Sequence, residues 1–264
     1  MLKIYENLNK KYPKFIYRDF KIEEKEESIE ITYQYELNGE EIIPFNHRLT
    51  IYKNFTLKSN LDSEVIQNIV FNLGMIEAIS YWKLTCSKFF LVMPNNLDEE
   101  QINWWQKLYY KGLGEMLYLN KLYDFIKEEE FIKIESIGNK KFQVNNNLLV
   151  NGNIIPVGGG KDSIVTLELL KEKKKENNVL LINPTIAAKD SVHIAGYNEE
   201  DIILIKRYLD PTLLKLNEEG FLNGHIPLSA EFAFISILTA ALKGKKYIVL
   251  SNEASANEPT ILGT

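Results

Sequence analysis

The sequence predicts an α/β protein in which a parallel, doubly wound domain at residues 146–264 follows an α+β domain at residues 1–145. Two observations support this prediction. In the second part, apolar runs of strand length alternate with helical patterns, which is typical of a parallel sheet covered on both faces. In the first part, runs of alternating apolar residues are followed by helical patterns.

The elements of the first part are predicted in order along the chain. Two alternating runs, residues 28–37 and 41–52, flank Asn38-Gly39, a pair typical of hairpin turns, and therefore predict two antiparallel strands. Helical spacing begins near Ser63 and again after Asn95-Asn96, and strand character returns over residues 131–150. We place the domain boundary in this last stretch.

The second part predicts four buried strands and two helices. The strands are residues 153–157, 178–183, 201–205 and 247–250, and the helices are residues 162–175 and 228–243. Ligands of parallel sheets bind at the carboxyl ends of the strands. A four-stranded sheet would keep an open edge, because no helix follows the last strand. We therefore expect a domain truncated at its C-terminus, or an edge covered by a partner chain or a swapped segment.

Composition excludes several classes of protein. The formal net charge of −5 over 264 residues argues against a general nucleic-acid binder. One cysteine, Cys86, leaves no disulfide framework and fits a reducing compartment. The most apolar stretch, residues 228–242, is too short to span a membrane and contains Glu231. We expect a cytoplasmic protein with neither nucleic acid nor membrane as a partner, and the sequence does not indicate its oligomeric state.

Residues 154–163 carry the clearest chemical signal. An apolar run ends in Gly158, Gly159 and Gly160, and Lys161-Asp162-Ser163 then opens a helical pattern. Glycines let several backbone N–H groups point at one anion, and the positive end of the helix dipole adds to the attraction. The alternative is a glycine-rich turn with ordinary helix capping.

The spacing separates this segment from two common phosphate loops. A Walker A loop would need glycine where Ile155 stands and Ser or Thr where Asp162 stands, and a dinucleotide fingerprint would need glycine in place of Ser163. The segment resembles the PP-loop of the ATP pyrophosphatase superfamily, with Gly158 in the place of its first serine. That resemblance implies an adenine nucleotide alpha-hydrolase-like fold that holds the β,γ-pyrophosphate of ATP and transfers AMP to a substrate oxygen.

Four further segments narrow the resemblance. Together with the glycine loop, they resemble the UDP-N-acetylmuramoyl-L-alanyl-L-glutamate epimerase family of bacterial peptidoglycan synthesis, from about residue 70 onward. The segments are residues 75–87, 104–115, 220–227 and 250–257. The resemblance implies ATP- and Mg²⁺-dependent inversion of the terminal glutamate of a UDP-linked muramoyl dipeptide, with release of AMP and pyrophosphate. Adenylation of the α-carboxylate would make the α-proton far more acidic. Members of the family also continue beyond this chain.

The same resemblance assigns roles in ATP binding. Gly158, Gly159, Gly160 and Ser163 are expected to contact pyrophosphate, while Lys161 either neutralises phosphate charge or points to solvent. Asp162 either binds Mg²⁺ or caps the helix. Three residues at strand ends complete the candidates: Asn183 for adenine or ribose, Arg207 for a carboxylate or phosphate, and Asn252. Asn183 and Arg207 also have structural readings, as a strand end and a surface arginine.

Three residues are candidates for proton transfer. His225, within residues 220–227, is an acid–base or AMP-contacting candidate, or a structural residue. Glu253 is expected to bind Mg²⁺ or take a proton, or else to cap a loop. Cys86 is either a thiolate base or a small buried side chain. Two other functions stay open, another AMP-forming PP-loop enzyme (a ligase or tRNA-modifying enzyme) and a nucleotide-binding regulatory domain without turnover.

Overall fold

A computed structural model describes residues 1–142 and 151–252. Its strands are β1 (Lys14–Glu24), β2 (Ser28–Asn38), β3 (Ile42–Tyr52), β4 (Phe89–Val92), β5 (Lys133–Ser136), β6 (Asn153–Pro156), β7 (Asn177–Ile182), β8 (Ile202–Tyr208) and β9 (Tyr247–Ile248). Its helices are α1 (Leu2–Lys11), α2 (Glu64–Glu77), α3 (Ile79–Trp82), α4 (Glu99–Gly112), α5 (Gly114–Leu119), α6 (Glu128–Phe131), α7 (Lys161–Leu169), α8 (Ile186–Ile194), α9 (Thr212–Glu218) and α10 (Leu228–Lys243). Within these ranges the fold is mixed α/β.

All nine described strands form one sheet, in the order β5-β4-β1-β2-β3-β8-β7-β6-β9. β1, β2 and β3 are antiparallel neighbours, and β2 and β3 pair from Ser28 with Tyr52 to Asn38 with Ile42. The hairpin predicted around Asn38-Gly39 is therefore confirmed. Its alternate side chains, such as Tyr33 and Tyr35, are buried beneath α2, as the sequence pattern requires.

The four strands predicted in the second part are parallel neighbours, in the order β8-β7-β6-β9. Alternate residues of these strands point to opposite faces. Ile154 and Leu180 join the main core with residues of α10, whereas Ile155 and Val179 belong to a second core with residues of α7 and α8. Helices therefore cover both faces, as predicted.

The parallel strands are not a separate four-stranded sheet, and that expectation is corrected. β8 pairs with β3 in antiparallel orientation, with Leu49 opposite Arg207, so the sheet continues into the N-terminal hairpins. The main core likewise runs from Tyr12 to Leu242. The predicted boundary between residues 145 and 146 lies outside the described residues, and the division into two domains stays a prediction.

Individual elements differ from the prediction mainly in length. The helix predicted at residues 162–175 is α-helical only to Leu169, and a 3₁₀ helix at Lys171–Glu176 follows. α8 has no strong apolar period, but Thr185 caps it by accepting a hydrogen bond from the Ala188 N–H at 3.2 Å. No helix in the part of the chain that the structure describes is long and apolar enough to cross a membrane.

Candidate functional site

The glycine turn after β6 opens onto a cavity of about 300 Å³ at the carboxyl ends of the parallel strands. Three segments contribute most of its polar wall: the turn itself, the start of α10 and the residues after β9. The lining residues are Pro156, Val157, Gly158, Gly160, Asp162, Ser163, Leu180, Ile182, Ser229, Phe232, Leu250, Ser251 and Asn252. This is the edge at which a parallel α/β sheet is expected to bind ligands.

The three glycines have different surroundings. Gly159 has a φ of +84°, and a Cβ atom there would lie 2.7 Å from the backbone nitrogen of Ala188 in α8. Gly159 therefore gives the turn its left-handed conformation and its close approach to α8. A Cβ atom at Gly158 or Gly160 would meet nothing within 4 Å, because the backbone on that side faces open space. The turn is thus anchored through one glycine and exposed through the other two.

The start of α7 has no side-chain cap at its N-cap residue. Gly160 is the N-cap residue, and no side chain of the described residues caps the helix. Ser163 does not cap it either, since its hydroxyl donates to the Gly160 carbonyl at 2.8 Å. Asp162 is half-buried and lines the cavity. The described side chains therefore do not support the capping alternative for Asp162 and Ser163, and the positive end of this helix can bind an anion.

The opposite wall comes from α10 and from the residues after β9. Ser229 and Phe232 lie near the start of α10, a helix that also has no side-chain cap among the described residues. Ser251 and Thr166 share a hydroxyl–hydroxyl hydrogen bond of 2.8 Å, which ties the β9 end to α7. Asn252 lines the cavity as predicted. Two helix N-termini thus border the cavity, and both favour negative charge.

The structure places two predicted ATP contacts elsewhere. Lys161 is exposed and does not line the cavity. Asn183 has a φ of +42°, its amide donates to the Arg207 carbonyl at 3.0 Å, and its side-chain oxygen accepts from the Arg207 N–H at 2.9 Å. The side chain of Asn183 therefore joins β7 to β8, as in the structural reading, and is not directed at the cavity.

Arg207 belongs to a buried cluster of charges rather than to the cavity wall. Its Nε donates to Glu77 Oε2 at 2.7 Å, its Nη2 donates to Ser80 Oγ at 2.8 Å, and Glu231 Oε1 lies 3.0 Å from Nε. Nε2 of His47 lies 3.2 Å from Glu77 Oε2. The surface-arginine reading is corrected, because the Arg207 side chain is only 10% exposed.

The two carboxyl groups on Arg207 have opposite pKa shifts. Burial alone would raise the pKa of Glu77, but His47 and Arg207 outweigh it through their charges and hydrogen bonds and lower the pKa to about 2. Burial, and then the charge of Glu77, raise the pKa of Glu231 to about 8, although Arg207 opposes them. Glu77 is therefore the ionised partner of Arg207, and Glu231 holds a proton at neutral pH.

Two of the three candidates for proton transfer, His225 and Cys86, do not line the cavity. His225 is exposed, and its Nδ1 lies 2.9 Å from Glu115 Oε1. Cys86 is fully buried, its thiol donates to the Lys83 carbonyl at 3.6 Å, and burial raises its pKa. Since the thiolate is disfavoured, this environment argues against the proposed role of Cys86 as a base. Glu253, the other predicted Mg²⁺ ligand, lies outside the described residues.

Segments that the sequence singled out separately lie against each other in the structure. Lys83 donates to the Gly224 carbonyl and to Asn223 Oδ1, the latter at 3.2 Å. A Cβ atom at Gly112 would lie 2.8 Å from Pro227 Cγ, so these two segments are also in close contact. Residues 220–227 therefore pack on the segments that contain α3 and the end of α4.

Comparison with known proteins identifies the family. The model of the MurL N-terminal domain matches residues 6–264. The chain belongs to the MurL N-terminal domain family. No solved structure matches the chain.

Three curated relatives each carry the name UDP-N-acetyl-alpha-D-muramoyl-L-alanyl-L-glutamate epimerase. The relatives from a Micromonospora species and from Salinispora tropica are each 32% identical over 72% of this chain, and the one from Xanthomonas oryzae is 29% identical over 74%. The chain covers 41%, 40% and 42% of their respective lengths. This member of the MurL N-terminal domain family thus spans about two fifths of the length of the relatives it matches.

Sequence reasoning did not find several residues of the site in this MurL N-terminal domain. Ser229 and Phe232 in the cavity wall carry no signal of their own in an apolar helix. Glu231 has a recognisable signal in the sequence, because a carboxylate within an apolar helical run indicates a buried acid that needs a partner. The partner, Arg207, could be found only from the structure, since it lies on another element.

Proposed function

We propose that this chain is the ATP-binding part of a cytoplasmic epimerase that inverts the terminal L-glutamate of UDP-N-acetylmuramoyl-L-alanyl-L-glutamate for peptidoglycan synthesis. The names of the three relatives support the reaction and the substrate. One structural observation supports ATP as co-substrate: Gly158, Gly160 and the uncapped start of α7 face a cavity at the ends of parallel strands. This arrangement fits a phosphate group, and we assign it to a PP-loop.

The residues present fit the phosphates of ATP with Mg²⁺. Backbone N–H groups at Gly160 and in the first turn of α7 would hold the pyrophosphate, and the dipoles of α7 and α10 would favour its charge. The carboxylate of Asp162, which lines the cavity, would hold Mg²⁺ beside the phosphates, with phosphate oxygens and water as the remaining ligands. Within the described ranges, no three His, Cys, Asp or Glu side chains form a metal cluster.

Use of ATP is consistent with the reaction, because the α-proton of a carboxylate is very hard to remove. ATP supplies an adenylyl group that turns the carboxylate into a mixed anhydride and so acidifies this proton. In this proposal the glycine turn holds the leaving pyrophosphate, and the apolar side chains of Leu180, Ile182 and Phe232 exclude water from the cavity. The proposal does not assign the groups that move the proton.

An assay in deuterated water tests the proposed function. A version of the protein with the full length of its relatives is incubated with ATP, Mg²⁺ and the UDP-linked dipeptide, and the products are analysed for AMP and for D-glutamate with deuterium at Cα. We expect both products. AMP formation only with an added amine or tRNA would favour another AMP-forming enzyme, and nucleotide binding without AMP would favour a regulatory domain.

The substitution Asp162→Ala tests the site itself. We expect AMP formation to fall by at least about 100-fold, because the metal that neutralises the phosphates loses a ligand, while the thermal unfolding midpoint stays close to that of the wild type. Asp124→Ala, which removes an exposed carboxylate far from the cavity in sequence, is the matched control. Unchanged turnover in Asp162→Ala would contradict this site.

A further inference from the structure

The buried cluster around Arg207 contains polar atoms that nothing nearby satisfies. Within the described part of the chain, Glu77 Oε1 and Glu231 Oε2 are buried without a hydrogen-bond partner. Glu77 also has firm contacts, because Oε2 accepts a hydrogen bond from Arg207 at 2.7 Å. Glu231 has only the ion-pair contact of Oε1 with Arg207 at 3.0 Å. A buried carboxylate oxygen without a donor is costly, so the cluster tolerates Glu231 best as a neutral acid.

The cluster is joined to the nucleotide cavity through one helical turn. Glu231 lies in the first turn of α10, between Ser229 and Phe232, which form part of the cavity wall. Glu231 faces Arg207 and Glu77, whereas Ser229 and Phe232 face the cavity. A movement of this turn that brought Glu231 toward water would therefore displace Ser229 and Phe232 as well.

We propose that Glu231 is a positioning residue: in its neutral form, held against Arg207, it keeps the first turn of α10 in the place that completes the cavity wall. The role rests on the proposed nucleotide site and adds a residue that does not itself touch the nucleotide. When Glu231 loses its proton, its unpaired oxygen becomes a buried charge, and the turn shifts to hydrate it. Nucleotide affinity then falls with the fraction of protein in which Glu231 is neutral.

The charged groups around Arg207 determine the pH at which Glu231 loses its proton. The charged and titratable members of the cluster are His47 on β3, Glu77 on α2, Tyr81 on α3, Lys83 directly after α3 and Arg207 on β8. Burial and Glu77 place the pKa of Glu231 at about 8. Between about pH 7 and about pH 9 the neutral fraction therefore falls by about tenfold.

The test compares the pH dependence of nucleotide binding in the wild type and in Glu231→Gln. The probe is α,β-methylene-ATP, which cannot be cleaved between its α and β phosphorus atoms, and binding is measured by isothermal titration calorimetry at about pH 7, 8 and 9. We expect the affinity of the wild type to fall by about tenfold over this range, and that of Glu231→Gln to change by less than about twofold. Glu218→Gln, an exposed substitution on α9, should follow the wild type. Glu231→Met serves the same purpose if the glutamine variant does not fold.

The outcomes separate this inference from the function on which it rests. Binding by the wild type with the same pH dependence in Glu231→Gln, or no pH dependence in either, would overturn the role of Glu231 alone. A wild type that binds no nucleotide at any pH would overturn the nucleotide site and the positioning role together. A purely structural role would lower the affinity of the variant equally at all pH values, and that result also overturns the proposal.

Discussion

The glycines after β6 differ in whether the structure leaves room for a Cβ atom. Gly159 needs both its positive φ of 84° and the absence of a Cβ atom, since that atom would lie 2.7 Å from the Ala188 nitrogen. Gly158 has no positive φ, and a Cβ atom there would meet nothing within 4 Å, so the fold does not require glycine at this position. The three-glycine sequence thus combines one residue required for folding with others that leave room for a ligand.

The substitution Gly159→Ala tests this difference. We expect it to lower the free energy of unfolding by about 1–3 kcal/mol, because alanine is strained at this φ and contacts the backbone of α8. Gly158→Ala, the matched control, should stay within about 0.5 kcal/mol of the wild type. Urea denaturation followed by circular dichroism measures both values. Equal stabilities for the two variants would show that the turn does not pack on α8 in this way.

The two buried glutamates should give stability opposite dependences on pH. The pKa of Glu77 falls from 4.5 to about 2 on folding, so its contribution to stability is present above pH 4.5 and is lost as the pH falls toward 2. The pKa of Glu231 rises from 4.5 to about 8, so the folded protein holds a proton that the unfolded chain releases, and stability falls as the pH rises from 4.5 to 8.

Glutamine substitutions separate these two contributions. Glu77→Gln should cost up to about 3 kcal/mol at pH 7, because it removes the ionised partner of the buried Arg207 and leaves only Glu231 to take that place. Glu231→Gln should gain stability relative to the wild type between about pH 5 and about pH 8, since it removes the group that disfavours folding at higher pH. Urea denaturation at the two pH values gives both differences. A relative loss of stability for Glu231→Gln at the higher pH would contradict the assignment of the proton.

At the scale of elements, residues 220–227 depend on side chains from other segments. The Leu222 N–H donates to the Leu84 carbonyl at 3.0 Å, and Asn120 Nδ2 donates to the Asn223 carbonyl at 2.9 Å. Lys83, only 8% exposed, adds hydrogen bonds to Asn223 and Gly224. These contacts hold the segment that leads into α10 and therefore into the cavity wall.

Removal of the Lys83 amine should loosen this segment locally. In Lys83→Met, the Asn223 side-chain oxygen and the Gly224 carbonyl lose a donor, at a cost of about 1–3 kcal/mol. We expect backbone amides within residues 222–226 to exchange with deuterium faster than in the wild type, as measured by mass spectrometry. Lys88→Met, which changes an exposed lysine nearby, is the control. Unchanged exchange in Lys83→Met would show that the other contacts are sufficient.

At the scale of the whole molecule, the β3–β8 pair joins the hairpins to the parallel strands. The main hydrophobic core contains residues from both parts, so neither part can bury its apolar surface alone. A shared sheet and core of this kind favour a single cooperative unfolding transition.

Two probes can test this cooperativity. All three tryptophans, Trp82, Trp104 and Trp105, lie in the first half of the chain. Trp104 and Trp105 also contact Phe234 of α10, so tryptophan fluorescence reports on the first half and on its contact with this helix, but not directly on the parallel strands. Far-ultraviolet circular dichroism reports on all helices and strands. We expect the two probes to give the same midpoint in urea. A second transition seen only by circular dichroism would indicate that the parallel strands unfold separately.

Features that depend on short-range pattern could be predicted from the order of residues. Alternating apolar residues and Asn38-Gly39 predicted the hairpin, and the four parallel strands followed from apolar runs, because residue spacing decides which side chains share a face. The glycine spacing also pointed to the turn that opens onto the cavity.

Contacts between residues far apart in the chain became known from the folded protein alone. The pairing of β3 with β8 joined two parts that the sequence separates, and it accompanies the burial of Arg207 between carboxyl groups from α2 and α10. The same packing buried the Cys86 thiol and engaged the Asn183 amide with backbone. The burial of a side chain and its charged partners depend on contacts between residues far apart in the chain. Local sequence pattern therefore does not predict them.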